Sequence, residues 1–194
     1  ALGIISVLKS KSSNHEKNKG KLFDFLIAFR SSIPLFLFGL LRFALTALVG
    51  YHSHISEYGV HWNFFFTMFV VTFLSFIIDI KPKNQINTAL ILSIVHQCFL
   101  SFYGSHFVIF EERVFGNFVS ENKEGLISCI GFFICFVIGQ FIGHCLKQTA
   151  MSKKKNVFVL MLKLMATQFI IIGMCYFMHN YVENASRRLA NISY

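Results

Sequence analysis

Apolar runs of about twenty residues alternate along this chain with short polar stretches that hold most of its charge. Five runs are long enough to cross a hydrocarbon core of about 30 Å as helices: Ser32 to Gly50, Val60 to Ile80, Ile86 to Gly104, Leu126 to Leu146 and Val157 to Met178. The pattern predicts an all-α fold, a polytopic transmembrane helical bundle of about five spanning helices. Its expected divisions are a basic loop and interfacial segment at 1–31, the bundle at 32–178 and a tail at 179–194. Ser10 to Lys21 is lysine-rich and lacks hydrophobic period, which predicts a flexible loop. Leu22 to Phe29 reads as an aromatic segment lying along the membrane surface, and Pro34 as a residue near the first span's start, where a missing N–H costs least.

Composition strengthens the membrane reading. Apolar residues make up 55% of the 194 and phenylalanine alone contributes 25, while charged residues reach only 14%, against about 25% in ordinary soluble domains. The net charge of +9 does not point to nucleic acid, because the lysines lie in loops beside spans, where membrane topology accounts for them. The five cysteines fall in or beside apolar segments without metal-ligand spacing, so no metal site is expected. The chain starts at Ala1 rather than methionine, and the run to Val7 is too short to span or to act as a signal peptide. An internal portion of a longer protein is the expectation.

Lysines set the sidedness. Lys9, Lys11, Lys17, Lys19 and Lys21, then Lys81 and Lys83, then Lys147, Lys153, Lys154 and Lys155 fall on alternate loops, so that side is expected to be cytosolic. Tyr51 to Gly59 and Ser105 to Gly125 are lysine-poor, carry Glu57, Glu111, Glu112, Glu121 and Glu124, and are expected to be lumenal. Five crossings put the tail on that side too, with Asn-x-Ser sequons at Asn184 and Asn191.

Polar groups inside or at the mouths of spans are the candidates for chemistry. Ser56 to Thr67 runs a short polar turn straight into the second span. On a helix Glu57 and His61 would share a face, letting a carboxylate orient or charge an imidazole; the alternative is an interfacial belt built on Tyr58 and Trp62. Arg42, mid-span, costs about 2.5 to 3.5 kcal/mol to insert and must face protein, a cavity or a lipid phosphate. Lys163 lies close enough to the basic loop to snorkel. His96, Gln97 and Gln168 are mid-span groups that either make interhelical hydrogen bonds or line a cavity, whereas His144 and Lys147 sit near a span end. Glu121 to Gly125 forms a second polar cluster before the fourth span, in which Glu124 also suits a helix start.

The run Glu57-Tyr58-Gly59-Val60-His61-Trp62-Asn63-Phe64-Phe65-Phe66-Thr67 is eleven contiguous residues of unusual composition. It is preceded by Gly39-Leu40-Leu41-Arg42 and followed by Asn122-Lys123-Glu124-Gly125 and Ser186-Arg187-Arg188-Leu189-Ala190-Asn191. In this order the motifs resemble the inositol acyltransferases of glycosylphosphatidylinositol (GPI) anchor biosynthesis, multi-pass proteins of the endoplasmic reticulum membrane. The resemblance covers about Ile33 to Tyr194. It implies transfer of a fatty acyl group from acyl-CoA, as donor rather than bound cofactor, to the inositol of glucosaminyl-phosphatidylinositol. Under it, His61 oriented by Glu57 is the candidate base and Asn63 a donor to the oxyanion or a sugar hydroxyl. Arg42, Lys123, Glu124, Arg187 and Arg188 are the candidate grips on an anionic, hydroxyl-rich headgroup. The chain departs from the family in lacking the upstream Arg-Arg-Phe-Ala-Lys-type sequence near which the family's proposed Asp and Lys lie, and so corresponds to the middle of the enzyme. The competing class is a non-enzymatic transporter or channel fragment, or a structural subunit. It predicts that Arg42, His96 and Gln168 line one continuous path.

Overall fold

A computed structural model describes residues 3, 4, 7, 21–50, 58–78, 80–151, 157–182, 184–186, 188–191 and 193. Among the described residues the regular structure is helical and contains no strand. The main helices are α1 (Lys21–Val49), α2 (Phe64–Ile78), α3 (Gln85–Phe99), α4 (Ser105–Ile109), α5 (Phe118–Glu121), α6 (Lys123–Met151) and α7 (Val157–Tyr181). A single 3-10 turn, Pro82–Asn84, leads into α3, and a π turn, Leu100–Gly104, joins α3 to α4 without a break.

Among the described residues, three stretches are long and apolar enough to cross a membrane: Phe25–Val49, Pro82–Ile109 and Lys123–Thr149. The expected second span is represented by α2, whose 15 residues rise about 22 Å, short of a hydrocarbon core of about 30 Å. The expected fifth lies on α7, which is 25 residues long. The basic loop Ser10 to Gly20, the Lys153–Lys155 cluster and the segment 51–57 lie outside the described residues.

Leu22 to Phe29 is continuous with the helix of the first expected span and forms the opening turns of α1. The reason is aromatic packing: Phe25 and Phe29 both set their rings edge-on to Phe73 of α2, at 5.5 and 6.4 Å. Pro34 therefore sits inside the helix rather than near its start. Its missing N–H leaves the Arg30 carbonyl without its intrahelical donor, a loss that membrane helices tolerate. Farther along, Phe36 meets Phe66 and Phe69, and Phe38 meets Phe65. Gly39 is what lets the helices close here, because a Cβ on it would lie 2.6 Å from the Phe66 ring.

Helix α6 is the hub. Val71 of α2 and Ala89 of α3 pack with Phe133, Ile134, Phe136 and Val137 of α6 in the main core. A second cluster forms where the C-terminal turn returns to the bundle and Leu189 is buried against Leu100 and Val108. Gly131 of α6 admits that turn, since a Cβ there would stand 2.1 Å from the Ala190 carbonyl oxygen. His96, buried in α3, has Nε2 3.1 Å from the Leu189 carbonyl. Its partner is thus a returning backbone carbonyl rather than a side chain of a facing helix. By contrast, almost every described side chain of α7, Gln168 included, lies on the outer surface.

Candidate functional site

The two polar stretches on either side of the bundle meet at one end of it. Gly59 to Asn63 is not helical, and Gly59 adopts a φ of +115° that side-chain-bearing residues rarely reach. This bend lays the segment directly on the backbone of residues 121–125: a Cβ on Gly59 would be 2.6 Å from Asn122 Cα. The Val60 N–H donates to the Glu121 carbonyl at 3.0 Å, and the His61 N–H to Asn122 Oδ1 at 2.9 Å. Asn122, fully buried, is held in turn by its Nδ2 donating to the Phe118 carbonyl. Trp62 closes the contact from the other side. Its ring lies over Gly125, and its Nε1–H donates to Thr67 Oγ1 at 2.9 Å. The belt reading of Trp62 therefore misses its main contact, which is internal.

Asn63 joins this mouth to α1. Its Oδ1 caps α2 by accepting the N–H groups of Phe65 and Phe66, and its Nδ2 donates to the Gly39 carbonyl at 2.9 Å. Replacing Asn63 by alanine is expected to lower stability by about 1 to 2 kcal/mol through the lost cap alone, with the lost bridge to Gly39 adding to it. Thermal unfolding in detergent checks this, and an unchanged midpoint would show that the cap and bridge hold nothing.

His61 projects outward from this frame with its side chain 47% exposed. Its Nε2 faces Glu121 Oε2 at 3.5 Å, and its ring meets Phe43 of α1 edge-on at 5.7 Å. The expected partner Glu57 lies outside the described residues, and the helical geometry assumed for that pair is absent from Gly59 onward. Glu121, named above only as part of a polar cluster, is the carboxylate that the structure sets beside His61. Its other oxygen accepts the Gly116 N–H at 3.0 Å.

Arg42 lies between Gly39, which touches Asn63, and Phe43, which touches His61. The register of α1 on α2 thus places Arg42 beside the mouth and not at mid-bundle, with its side chain exposed. Lys123 and Glu124 are buried. The Lys123 ammonium donates to the carbonyls of Phe107 and Glu111 and lies over the Phe107 ring. Glu124 pairs with Arg113, Nη2 to Oε1, at 2.5 Å. Both expected headgroup grips are therefore occupied by protein groups. Glu124 also sits in the first turn of α6, as a helix-start residue would. Arg188 is exposed just ahead of the buried turn, and Arg187 lies outside the described residues. Arg113 was not singled out from the sequence. It stands in a loop without periodicity, and the only signal available was a lone arginine on a glutamate-rich side.

Comparison with known proteins gives a consistent set of relatives. The family model described as GWT1 matches residues 1–194. The chain is 32% identical over 171 residues to the phosphatidylinositol-glycan biosynthesis class W protein of Dictyostelium discoideum, covering 85% of this chain and 33% of the relative. It is 30% identical to the GPI-anchored wall transfer protein 1 of Kluyveromyces lactis, covering 99% and 42%. It is 31% identical to the human glucosaminyl-phosphatidylinositol-acyltransferase PIGW, covering 90% and 36%. The chain thus spans between 33% and 42% of the length of these three relatives.

Proposed function

The chain belongs to the GWT1 family, and on that premise we propose that it forms part of an acyltransferase of GPI-anchor biosynthesis. In this reading the enzyme moves a fatty acyl group from acyl-CoA to an inositol hydroxyl of glucosaminyl-phosphatidylinositol in the endoplasmic reticulum membrane. The observation that carries the reading is the His61–Glu121 pair, held at an exposed mouth by the contact between residues 58–63 and 121–125.

Acyl transfer forms a bond from the inositol oxygen to the thioester carbonyl carbon and breaks the carbon–sulfur bond. The hydroxyl proton must leave and the thiolate must gain one. His61 takes the proton and returns it to the departing thiolate, with Glu121 stabilising the imidazolium in between. The Glu57–His61 pairing remains part of the proposal as a second carboxylate on the same side. Asn63 positions the segment, and Arg42 meets the phosphodiester of the acceptor, for which a guanidinium offers a planar pair of donors. Lys123, Glu124 and the Arg187–Arg188 pair shape the headgroup side.

The mouth suits a lipid acceptor. From Gly39 to Val49 α1 continues for ten residues, about 15 Å at 1.5 Å per residue, and it keeps Leu45, Leu48 and Val49 exposed. Apolar side chains on that flank belong in hydrocarbon, so the polar mouth is sunk below the bilayer surface, where a phosphoinositide can slide in sideways. In this reading α2 and α7 complete five crossings, and the mouth is lumenal. The transporter alternative is disfavoured because Arg42 lies outward on α1, His96 is buried against Leu189 and Gln168 faces outward on α7.

The test is mass spectrometry of glucosaminyl-phosphatidylinositol in cells lacking their own inositol acyltransferase, after expression of the chain at its natural length. Acylated lipid is the expected product, and Arg42→Gln is expected to cut its rate about tenfold or more, the scale of a lost charge-assisted contact. No acylated lipid, with the protein verified in the membrane, would refute the reading.

A further inference from the structure

We infer that Arg113 is a positioning residue for the His61–Glu121 pair, an inference that rests on the acyl-transfer reading above. Arg113 stands in the loop between α4 and α5, outside the segment that bears His61. Its guanidinium forks between two acceptors of the segment that carries Glu121. Nη1 donates to the Glu121 carbonyl at 2.8 Å, and Nη2 to Glu124 Oε1 at 2.5 Å. The same Glu121 carbonyl accepts the Val60 N–H at 3.0 Å. One oxygen therefore joins the guanidinium, the end of α5 and the segment that bears His61.

The loop is pinned on the far side of Arg113 as well. The Val114 N–H donates to Ser120 Oγ at 2.9 Å, and the Gly116 N–H to Glu121 Oε1 at 3.0 Å. This second bond fixes one carboxylate oxygen of Glu121 while the other faces His61. Backbone and side chain of Glu121 are thus both held by the Arg113 loop.

Burial makes the arrangement depend on arginine. The Glu124 side chain is only 3% exposed and that of Arg113 21%. Among the described residues Glu124 Oε2 has no hydrogen-bond partner, and the ion pair on its Oε1 comes from Arg113. The neighbouring Lys123 is turned to the carbonyls of Phe107 and Glu111 instead. A planar fork reaches a carbonyl and a carboxylate together, whereas an ammonium is a point charge that reaches them less well. Without Arg113 the Glu121 carbonyl loses a donor, Glu124 is left buried and unpaired, and the carboxylate facing His61 drifts. A displacement of about 1 Å at a reacting group lowers rate by up to about a hundredfold.

Two measurements on the chain at its natural length test the inference. The first needs no activity: cysteines placed by His61→Cys and Glu121→Cys, with the five native cysteines replaced, are joined in membranes by a short bifunctional thiol reagent. Cross-linking yield is expected to fall several-fold when Arg113→Gln is added, and an unchanged yield overturns the inference. The second is a double-mutant cycle on acyl transfer. Arg113→Gln is expected to lower kcat about tenfold or more with KM little changed, and to have almost no further effect in a Glu121→Gln background. Equal losses in both backgrounds would mark a general structural role and overturn it. Should the Arg113→Gln protein fail to reach the membrane, Arg113→Lys, which keeps the charge and loses the fork, runs through both measurements with the same expected directions. Lack of acyl transfer by the unmodified chain would count against the proposed function alone, leaving the cross-linking yield to decide on Arg113.

Discussion

Replacing Gly125 by alanine is expected to strip the mouth from the folded protein, and replacing it by valine to remove folded protein from the membrane altogether. A Cβ at this position would lie 2.2 Å from Trp62 Cδ1, 2.4 Å from its Cγ and 2.6 Å from the Tyr58 carbonyl oxygen. None of the three can give way cheaply. The indole is tied through Nε1 to Thr67 Oγ1, and Thr67 is fully buried on α2. The Tyr58 carbonyl belongs to backbone held one residue on by the close approach of Gly59 to Asn122 and two residues on by the bond from Val60 to Glu121. Overpacking a rigid contact costs about 1 to 3 kcal/mol and more when backbone must move, and here the shift would also open the bond between His61 N–H and Asn122. The matched control is Gly173→Ala in α7, where among the described residues an added Cβ meets nothing within 4 Å beyond its chain neighbours and the helix's own backbone and alanine favours the helix by about 1 kcal/mol. Thermal unfolding of detergent-solubilised protein separates the two. A Gly125→Ala protein that unfolds where the Gly173→Ala protein does would show that residues 58–63 do not rest on α6 as described.

The same contact shows what could be read from the chain beforehand. Apolar run length located the helices because a hydrocarbon core imposes it, and four of the five expected spans coincide with helices of 25 residues or more or with the continuous stretch Pro82–Ile109. The lysine distribution also put Tyr51 to Gly59 and Ser105 to Gly125 on one side, and Gly59 lies against Asn122. Partners chosen at long range were not legible. A helix through Gly59 was assumed for His61 and Glu57, whereas that glycine has a positive φ, and the carboxylate beside His61 among the described residues is Glu121, sixty residues away in sequence. Arg42 read as mid-span because run length alone fixed its position; the bond from Asn63 to Gly39 brings the mouth to within about one helical turn of it along α1. Leu189 to Asn191 read as a tail, yet burial of Leu189, Ala190 and Asn191 depends on a gap left by Gly131 that no local pattern reveals.

His61 is where chemistry and packing separate most cleanly, so His61→Ala is expected to give a normal fold with little turnover. What the fold takes from this residue is its backbone: the N–H bonded to Asn122 Oδ1 survives any side-chain change. Among the described residues the imidazole makes the 3.5 Å approach to Glu121 and an edge contact with Phe43, on a side chain nearly half exposed, so its loss leaves no cavity in the core. Protein level and unfolding temperature should therefore match the unmodified chain. General-base assistance is worth roughly a hundredfold to ten-thousandfold in rate, and His61→Ala should lower kcat by that amount with KM nearly constant. Glu121→Gln keeps the shape and an acceptor for the Gly116 N–H but removes the charge beside the imidazolium, and its loss should be smaller and in the same parameter. A residue that only grips the acceptor would behave differently: KM would rise while kcat held, because binding to substrate and transition state would weaken alike. Full turnover by a well-folded His61→Ala protein would remove the base assignment. A rise in KM alone would turn His61 into a headgroup contact and move the proton transfer to a residue outside this mouth.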